Sequence, residues 1–520
     1  MYDLLIKNGT VIDGTGSPAY HCDIAIRDGK IVKMANHIQE GAKEVIVAEG
    51  LTVTPGFIDS HSHSDNAVFT HPDMIEKIEQ GITTSVGGQC GSTVAPVYKG
   101  ITDENANDVG EFGKENVLYK TFGSMMQVGK TIPLGSNLVS FVGHSALRKA
   151  VMGMDNRKPT DGEMEKMKAL LREALENGAI GLSFGLIYTP SCYAETDELI
   201  ELAKVLKEYD GMLSAHIRNE GFQLIKAVEE FLMVIKATNL KAVFSHHKSM
   251  GKENWGKVHH SLRMIEEAVA EGYDIYCDVY PYEASHTSLS ATVIPKNMRA
   301  LDSNGITEML SDPEKRVVIK EWYTETYGKD LSNLQIAYCK GFPEYEGKRV
   351  SKIAKMRGQE DCEAAMDLIR DSGNRVGVCN FSIWEEDIET VMQFERAMIC
   401  TDSSVAKNLQ VYHPRLRGTF PRVLGRYVRE RKVTTLHEMI RKCTSMPASV
   451  YGLPTKGILR EGFDADICIF DADRILDKAT FTDCHQRCEG LNYVLLGGEV
   501  VVENAVFNGK RNGRFMERQR

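Results

Sequence analysis

The segment GFIDSHSHSD, residues 56–65, combines the pattern of an apolar strand with two histidines at the end of that strand. The apolar run ends at Ile58, and Asp59, His61 and His63 follow it. Side chains two residues apart in a strand point to the same side, so the two imidazoles converge on one point. Two converging imidazoles are typical of a metal site, although two surface histidines in a loop would give the same letters.

The chain that follows this segment alternates strand patterns with helix patterns. Residues 160–177 begin with Thr160 and carry Glu163 three positions later, which is the pattern of a helix-capping box. Eight strand-like runs recur, near 56–61, 83–90, 137–144, 179–186, 212–217, 241–247, 274–280 and 397–402. Alternation at this spacing predicts a parallel sheet, and eight units predict an α/β fold with a closed (β/α)8 TIM-like barrel.

Both ends of the chain consist of short apolar runs separated by turn dipeptides such as Asn-Gly and Asp-Gly. We therefore expect residues 1–55 and 451–520 to form a small β-sandwich domain together. Residues 56–450 are expected to form the catalytic barrel. The interval 283–395 is too long for one barrel connection, so an insertion is predicted near 285–350.

The composition excludes several classes of partner. The chain has 520 residues and a formal net charge of −10, which disfavours binding to nucleic acid or to an anionic membrane. No stretch approaches the ~20 apolar residues of a membrane helix, and the N-terminus lacks the pattern of a signal peptide. The twelve cysteines form no CxxC pair, which favours reduced thiols and a cytoplasmic location.

Side chains with metal-binding or proton-transfer chemistry stand at the carboxyl ends of the predicted barrel strands, where barrel active sites gather. They are His61 and His63 on the first strand, Cys90 on the second, His144 on the third, His216 on the fifth, His246 on the sixth and Asp402 on the eighth. Imidazole and thiolate ligands favour zinc, whereas magnesium or calcium would require more carboxylates.

A bound zinc ion would make a water nucleophilic near neutral pH by lowering its pKa to ~7. Asp402 could take a proton from that water and deliver it to a leaving nitrogen. The pattern therefore indicates hydrolysis of an amide-like bond. A helix cap or a turn in the Thr-Asp-Ser-Ser segment is the structural alternative for Asp402.

Longer motifs resemble the amidohydrolase superfamily, and within it the N-acyl-D-amino acid deacylases (D-aminoacylases). The resemblance covers nearly the whole chain. It rests on PGFIDSHSHSD (55–65), GGQCGSTVAPV (87–97), GHSALRKAVMG (143–153), GLSFGLIYTP (181–190), AHIRNEG (215–221), SHHKSMG (245–251), CTDSS (400–404), HPRLRGTFPRVLGRYVRE (413–430) and GILREGFDADICIFD (457–471). The Gly-Gln-Cys-Gly and His-Pro-Arg motifs are more specific to this branch than the histidine pair.

The resemblance implies a role for each of the residues at the strand ends. One metal position would use His61 and His63, and the thiolate of Cys90 could bridge two positions. His216 and His246 would complete the tighter zinc site, giving one or two zinc ions per chain. Asp402 would be the general acid and base.

The implied substrate is a small-molecule N-acyl-D-amino acid, cleaved to a carboxylate and a free D-amino acid. Its carboxylate would be bound by Lys248, by Tyr280 or Tyr282, and by Arg415. Arg218 and Glu220 could contact the ligand His216 on the side away from the metal and hold its orientation. His144 could face the pocket or hold a loop.

Two alternative functions stay open. Hydantoinase-like and dihydroorotase-like relatives, which act on cyclic amides, use a carboxylated lysine on the fourth strand. The fourth strand of this chain, AIGLSFGLI (179–187), has no lysine, which weakens that alternative. A catalytically silent barrel used for assembly would have lost ligands, yet all six metal or acid/base positions are present. The preferred side chain, the acyl group and the oligomeric state are not predicted.

Overall fold

The computed structural model describes residues 1–97, 119–405 and 412–518. Its strands are β1 (Tyr2–Val11), β2 (Tyr20–Arg27), β3 (Lys30–Ala35), β4 (Ala42–Val47), β5 (Thr52–Pro55), β6 (Phe57–Asp59), β7 (Ile82–Gly87), β8 (Asn137–Ser140), β9 (Val142–Gly143), β10 (Gly181–Gly185), β11 (Met212–His216), β12 (Ala242–Phe244), β13 (Ile275–Val279), β14 (Ala284–Ser288), β15 (Leu334–Cys339), β16 (Val376–Phe381), β17 (Ala397–Ile399), β18 (Ile467–Phe470), β19 (Leu491–Leu496), β20 (Glu499–Glu503) and β21 (Val506–Phe507).

Its α-helices are α1 (Ala67–Thr70), α2 (Ile75–Ile78), α3 (Phe122–Gly129), α4 (His144–Met152), α5 (Asp161–Glu176), α6 (Thr196–Glu208), α7 (Leu224–Thr238), α8 (Lys257–Ala270), α9 (Leu289–Val293), α10 (Ser303–Met309), α11 (Pro313–Tyr327), α12 (Val350–Arg357), α13 (Asp361–Asp371), α14 (Glu385–Gln393), α15 (Arg415–Arg422), α16 (Leu436–Cys443) and α17 (Ser445–Val450). A π-helix, Val423–Glu430, continues α15. Short 3-10 helices lie at Ser191–Tyr193, Lys252–Asn254, Lys296–Met298 and Pro343–Tyr345.

Parallel strands form the predicted barrel. β6, β7 and β8 pair in sequence, and β9, β10, β11, β12, β13 and β17 form the rest of the wall. β8 and β9 are one barrel strand interrupted at Phe141. The ring closes between the first and eighth strands, where the Asp402 amide donates to the His61 carbonyl at 2.9 Å. Each of the eight predicted strands overlaps an observed one, so the barrel prediction is confirmed.

The helices around the barrel follow the sequence pattern. In α5, the Thr160 hydroxyl accepts a hydrogen bond from the Glu163 amide, and the Glu163 side chain accepts one from the Thr160 amide. This capping box satisfies two amides that the first helical turn leaves unpaired. The buried face of α5 carries Met167, Leu171, Ala174 and Leu175 at helical spacing. The predicted helix is therefore confirmed, and its apolar stripe packs on the barrel.

The amino-terminal end of the barrel is filled by apolar side chains. Inward-facing residues such as Ile58, Phe141 and Met398 form one buried cluster with Met446 and Tyr451, which belong to α17 and the residue after it. This packing leaves the carboxyl ends of the strands as the side of the barrel that carries buried polar side chains, as is usual for this fold.

Strands from both ends of the chain form one nine-stranded sheet in the order β21-β20-β19-β18-β5-β1-β2-β3, with β4 paired to β1. The predicted small β domain from both termini is therefore confirmed. The last described residues are an exception, because the Met516 amide donates to the Leu138 carbonyl at 2.7 Å, beside β8 of the barrel. The predicted range 451–520 is wrong for this tail. Residues 98–118, 406–411 and 519–520 of the predicted domains lie outside the described residues.

The insertion is larger than predicted. β14, β16 and β15 form a separate antiparallel sheet, in which β16 pairs with both of the other strands. A buried cluster of its own includes Leu289, Ile306, Leu334 and Val378. The predicted end at residue 350 is wrong, because α12 and α13 pack on this sheet and its central strand, β16, extends the insertion to Phe381. The insertion leaves from the carboxyl end of β13, which places it on the side of the active site.

Among the described helices, we find none with both the length and the apolar character required to cross a membrane.

Candidate active site

Three imidazoles surround the Cys90 thiol at the carboxyl ends of four barrel strands. The Cys90 Sγ atom lies 3.3 Å from His61 Nε2, 3.5 Å from His216 Nδ1 and 3.4 Å from His246 Nε2. All four side chains are buried. Cys90 and His246 adopt positive φ angles of 52° and 34°, so the chain turns sharply where each strand ends. The structure thus brings together four of the five predicted ligands.

The donor atoms fit a zinc ion. With Zn–S near 2.3 Å and Zn–N near 2.0–2.1 Å, tetrahedral geometry places sulfur and nitrogen about 3.6 Å apart. The observed separations of 3.3, 3.5 and 3.4 Å are close to that value. Burial, with a further contribution from Asp402, raises the pKa of the Cys90 thiol well above its usual range. A divalent cation supplies the charge that lowers a thiol pKa again, so the site suits a thiolate that has a metal partner.

Two buried carboxylates stand behind these imidazoles. Glu220 places one oxygen 3.0 Å from His246 Nδ1 and the other 3.7 Å from His216 Nε2. Asp278 places Oδ2 3.7 Å from His61 Nδ1, and its Oδ1 accepts the His246 amide at 2.5 Å. The His246 contact is short enough for a hydrogen bond, whereas His61 Nδ1, His216 Nε2 and Asp278 Oδ2 have no hydrogen-bond partner among the described residues. Metal-binding histidines commonly donate their second N–H to a carboxylate, and Glu220 and Asp278 stand on the side of the rings where such partners lie. The sequence reasoning proposed Glu220 but missed Asp278.

The signal that could have revealed Asp278 is a single carboxylate inside the apolar strand IYCDV.

Arg218, the other residue expected to support His216, does not contact His216. Its guanidinium donates to Glu230 at 2.8 Å and to the carbonyls of Cys192 and Ala194, both at 2.9 Å. Arg218 therefore holds the loop that follows the fourth barrel strand.

Asp402 lies between the histidine pair of the first strand and an arginine. Its Oδ1 atom is 3.0 Å from His63 Nε2 and 3.6 Å from His61 Nε2, while Arg415 donates to Oδ2 at 2.6 Å. Burial tends to raise the pKa of Asp402, but Arg415, His246 and the hydrogen bond from His63 outweigh it and hold the pKa well below its usual range. The carboxylate is therefore ionised at neutral pH.

The candidate ligands divide into two overlapping groups. Ligand atoms of His61, Cys90, His246 and Asp402 lie within 4.8 Å of one another, and those of His216, Glu220 and His246 form a second group. His63 is in neither group, because its imidazole contacts Asp402 rather than Cys90. The predicted role of His63 as a metal ligand therefore stays a prediction.

Lys248 contacts the candidate ligand His246 and its neighbour Glu220. Its ammonium lies 2.6 Å from Glu220 Oε1, 2.7 Å from His246 Nδ1 and 2.6 Å from the His246 carbonyl. With Nε2 facing the thiol, His246 Nδ1 carries the proton and donates to Glu220, so Lys248 donates to the Glu220 carboxylate and to the His246 carbonyl but not to Nδ1. In this structure Lys248 therefore contacts the residues that hold the ligands.

The two tyrosines predicted to bind substrate differ in their contacts. The Tyr282 hydroxyl donates to the Pro414 carbonyl at 3.3 Å. The buried Tyr280 hydroxyl and the Arg415 Nε atom have no hydrogen-bond partner among the described residues. The Arg415 guanidinium lies 4.9 Å from the centre of the Tyr280 ring. Tyr280 and Arg415 therefore offer two unused donors side by side, whereas the Tyr282 hydroxyl is already bonded.

Two further histidines lie outside the group of ligand atoms: His144, for which two roles were open, and His286, which the sequence did not indicate. His144 lies 2.7 Å from Ser191 Oγ and 2.9 Å from Glu198 Oε1, so it holds a loop. His286, in β14, was not singled out, because the start of the insertion could not be placed from the sequence. Burial, with a contribution from Arg415, lowers the pKa of His286 to about 3. The imidazole is therefore neutral at pH 7, and its Nε2 atom has no hydrogen-bond partner within the described part of the chain.

Comparisons with known proteins show which family and which solved structures the chain is similar to. A family model described as the amidohydrolase family matches residues 44–502. A D-aminoacylase of Alcaligenes xylosoxydans xylosoxydans is 33% identical over 99% of this chain and 98% of its own length. The N-acyl-D-glutamate deacylase of Bordetella bronchiseptica, solved with zinc and a phosphonate mimic of the tetrahedral intermediate, matches with a TM-score of 0.85 and 32% identity over 99% of both chains. A D-aminoacylase structure with a binuclear metal centre matches with a TM-score of 0.85 and 33% identity over 100% of both chains.

Proposed function

Because this chain belongs to the amidohydrolase family, we propose that it acts as a zinc-dependent N-acyl-D-amino acid deacylase. The reaction is hydrolysis of a linear amide bond, which yields a carboxylate and a free D-amino acid. The observation that carries the proposal is the Cys90 thiol among three imidazoles, on a barrel whose fourth strand, Gly181–Gly185, has no lysine. A cyclic-amide hydrolase of the hydantoinase type would require that lysine, so the thiol favours the deacylase.

We assign the metal ligands in two positions. Cys90, His216 and His246 would hold the tighter zinc ion, and His61 and His63 would hold a second, weaker one together with Cys90. Zinc, when bound, polarises the substrate carbonyl and lowers the pKa of a water molecule. Glu220 holds the His246 imidazole at 3.0 Å, and Glu220 and Asp278 lie 3.7 Å from the outer nitrogen atoms of His216 and His61.

Asp402 carries the proton in the proposed reaction. Its ionised carboxylate accepts a proton from the attacking water and then delivers it to the amide nitrogen, which must leave as a neutral amine. Arg415 keeps the carboxylate ionised before the reaction, and His63 holds the oxygen that faces the site. Positioned proton transfer of this kind contributes about 10²–10⁴-fold to a rate.

The carboxylate of the substrate requires cations and hydrogen-bond donors. We assign Arg415 and Tyr280 to this role, supported by their unused donors. Lys248 adds positive charge to the same pocket, since its ammonium lies 5.4 Å from the centre of the Tyr280 ring. We remove Tyr282 from the proposed contacts, because its hydroxyl already binds the Pro414 carbonyl.

The remaining proposals concern the surroundings of the protein. The partner is a small-molecule N-acyl amino acid, and the net charge of −10 supports the expectation of no nucleic acid or anionic membrane. We also propose a cytoplasmic location, supported by twelve cysteines that are all buried and free of disulfides.

The proposed function is tested by removing and restoring zinc. The purified protein should hold at least one zinc ion per chain, and chelation should abolish cleavage of N-acetyl-D-amino acids until zinc is added back. Cys90→Ala should lose zinc and activity, whereas Cys443→Ala, which removes an equally buried thiol from α16, should keep both. Metal-free protein with full activity would overturn the proposal.

A further inference from the structure

A fully buried ion pair lies directly behind the first and eighth barrel strands. Lys77 of α2 donates to Asp59, the last residue of β6, at 3.0 Å, and both side chains are 0% exposed. Burial lowers the pKa of Lys77, and Asp59 counteracts that effect. Buried lysines are rare unless they are paired and hydrogen-bonded, because their desolvation is costly. Neither side chain is exposed to the cleft, so substrate cannot contact this pair.

The contacts of the pair flank Asp402 on both sides. Asp59 accepts the Thr401 amide at 2.8 Å and the Thr401 hydroxyl at 2.6 Å. Lys77 donates to the Thr401 hydroxyl at 2.7 Å, to the Ser403 carbonyl at 2.9 Å and to the Ser403 hydroxyl at 3.0 Å. The residues immediately before and after Asp402 are therefore bound to the same two side chains.

Asp402 itself has a backbone conformation that requires support. Its φ angle is 47°, in the left-handed region that non-glycine residues sparsely populate. Such a conformation persists only where the surroundings hold it in place. Three backbone hydrogen bonds cross this junction. The Ser60 amide donates to the Ile399 carbonyl at 3.4 Å, the Asp402 amide to the His61 carbonyl at 2.9 Å, and the His63 amide to the Ser403 carbonyl at 3.1 Å. The Thr401 amide, next to Asp402, donates to the Asp59 side chain instead. Side chains must supply the rest of the support.

We propose that the Lys77–Asp59 ion pair is a positioning unit that fixes the Asp402 carboxylate against His63 and His61. The inference rests on the proposed role of Asp402 as the proton carrier. The carboxylate is held 3.0 Å from His63 Nε2 and 3.6 Å from His61 Nε2, on the side of the site where the attacking water must lose a proton. A misplacement of 1 Å in such a group costs about 10²-fold in rate.

Two variants test the positioning unit. Thr401→Val removes the hydroxyl that both members of the pair bind and retains the shape of the side chain. Lys77→Met removes the cation. Each should lower kcat at least tenfold, while KM changes less than twofold and zinc content equals that of the wild type. A purely structural role would not lower kcat while KM and zinc content stay close to the wild-type values.

Matched controls separate catalysis from stability. Lys456→Met removes a buried lysine that donates to Asp466 at 2.6 Å, and Thr444→Val removes a buried hydroxyl that donates to the Ile440 carbonyl at 2.6 Å. Both lie outside the site and should lower the melting temperature without lowering kcat. If Lys77→Met does not fold, Thr401→Val alone decides the question.

A wild-type kcat in Thr401→Val, or a fall in kcat no larger than that in Thr444→Val, would overturn the proposal that Lys77 and Asp59 position Asp402. A crystal structure provides a readout that does not depend on activity. In Thr401→Val the Asp402 carboxylate should move away from His63, and an unchanged separation would contradict the inference whatever the substrate is. Wild-type protein that cleaves no N-acyl-D-amino acid would instead remove the proposed function and leave the structural readout intact.

Discussion

Replacing Asp402 by asparagine changes the chemistry of the site and leaves its shape almost intact. The wild-type carboxylate contacts Arg415 at 2.6 Å, His63 at 3.0 Å and His61 at 3.6 Å. Asparagine retains an oxygen that accepts a hydrogen bond but cannot accept or deliver a proton. The four residues Cys90, His61, His216 and His246 keep their donor atoms, so zinc should stay bound.

The expected loss of activity can be estimated from the number of proton transfers. One positioned acid or base contributes about 10²–10⁴-fold. The same carboxylate serves both the attack and the departure of the amine, so we expect kcat to fall by about 10⁴-fold, or roughly 5 kcal/mol. KM should change little, because Asp402 is not assigned to substrate binding.

Stability should also fall in this variant. Arg415 is 3% exposed, and Asp402 is its carboxylate partner among the described residues. Leaving a buried charge without its partner costs about 3–5 kcal/mol. Asp466→Asn is the matched control, since it removes the carboxylate that pairs with Lys456 at 2.6 Å, far from the site. Because Lys456 keeps Asp464 at 3.2 Å, this control should lose less stability than Asp402→Asn and keep its activity.

The assay combines steady-state kinetics on an N-acetyl-D-amino acid, zinc analysis and urea denaturation of both variants. More than a tenth of wild-type kcat in Asp402→Asn, with zinc still bound, would refute the role of Asp402 as proton carrier. Loss of zinc together with activity would show that Asp402 acts as a metal ligand instead.

Three further experiments test other parts of the site and the fold. Glu220→Gln should weaken zinc binding by about 10–100-fold in a chelator competition, and unchanged affinity would contradict its role in orienting the histidines. Tyr280→Phe should raise KM by about tenfold or more, because it removes a hydrogen bond to the charged carboxylate of the substrate. Tyr282→Phe should leave KM unchanged. Equal effects of the two variants on KM would refute the assignment of Tyr280 and not Tyr282 to substrate binding. Burial, only partly offset by Glu438, lowers the pKa of Lys442 to about 8, so the folded state loses a proton that the unfolded state keeps until about pH 10.5. Wild-type stability should therefore rise with pH across that window in urea titrations, and so should the stability of the wild type relative to Lys442→Met. The pH dependence of that difference is the diagnostic quantity, because methionine also removes the hydrogen bonds that Lys442 donates to the carbonyls of Phe394, Glu395 and Ala397. A constant difference at every pH would contradict this assignment.

The barrel could be predicted because its signals are local. Apolar runs such as the one before His61 alternate with amphipathic helices such as α5, and that alternation determines a parallel sheet. The extent of the insertion could not be predicted, because β16 pairs with β14 and β15, which are distant in sequence. The sequence pattern of β16 does not distinguish that pairing from another barrel strand.

The site was predictable to the extent that the fold gathers strand ends at one place. His216 and His246 were found because each stands at the end of a predicted strand. His286 and Asp278 were missed, because one lies in the insertion and the other is a single polar residue inside an apolar strand. The partners of Lys248 could not be predicted either, since they depend on how three loops pack together.

Hydrolysis of paired N-acetyl-D- and N-acetyl-L-amino acids by the zinc-loaded enzyme, with a hydantoin and dihydroorotate in the same panel, tests the central claim most directly. We expect kcat/KM for the best D substrate to exceed that of its L partner by at least ~100-fold, or about 2.7 kcal/mol, with negligible opening of the cyclic amides. Equal rates on both enantiomers, or a preference for a cyclic amide, would contradict the account.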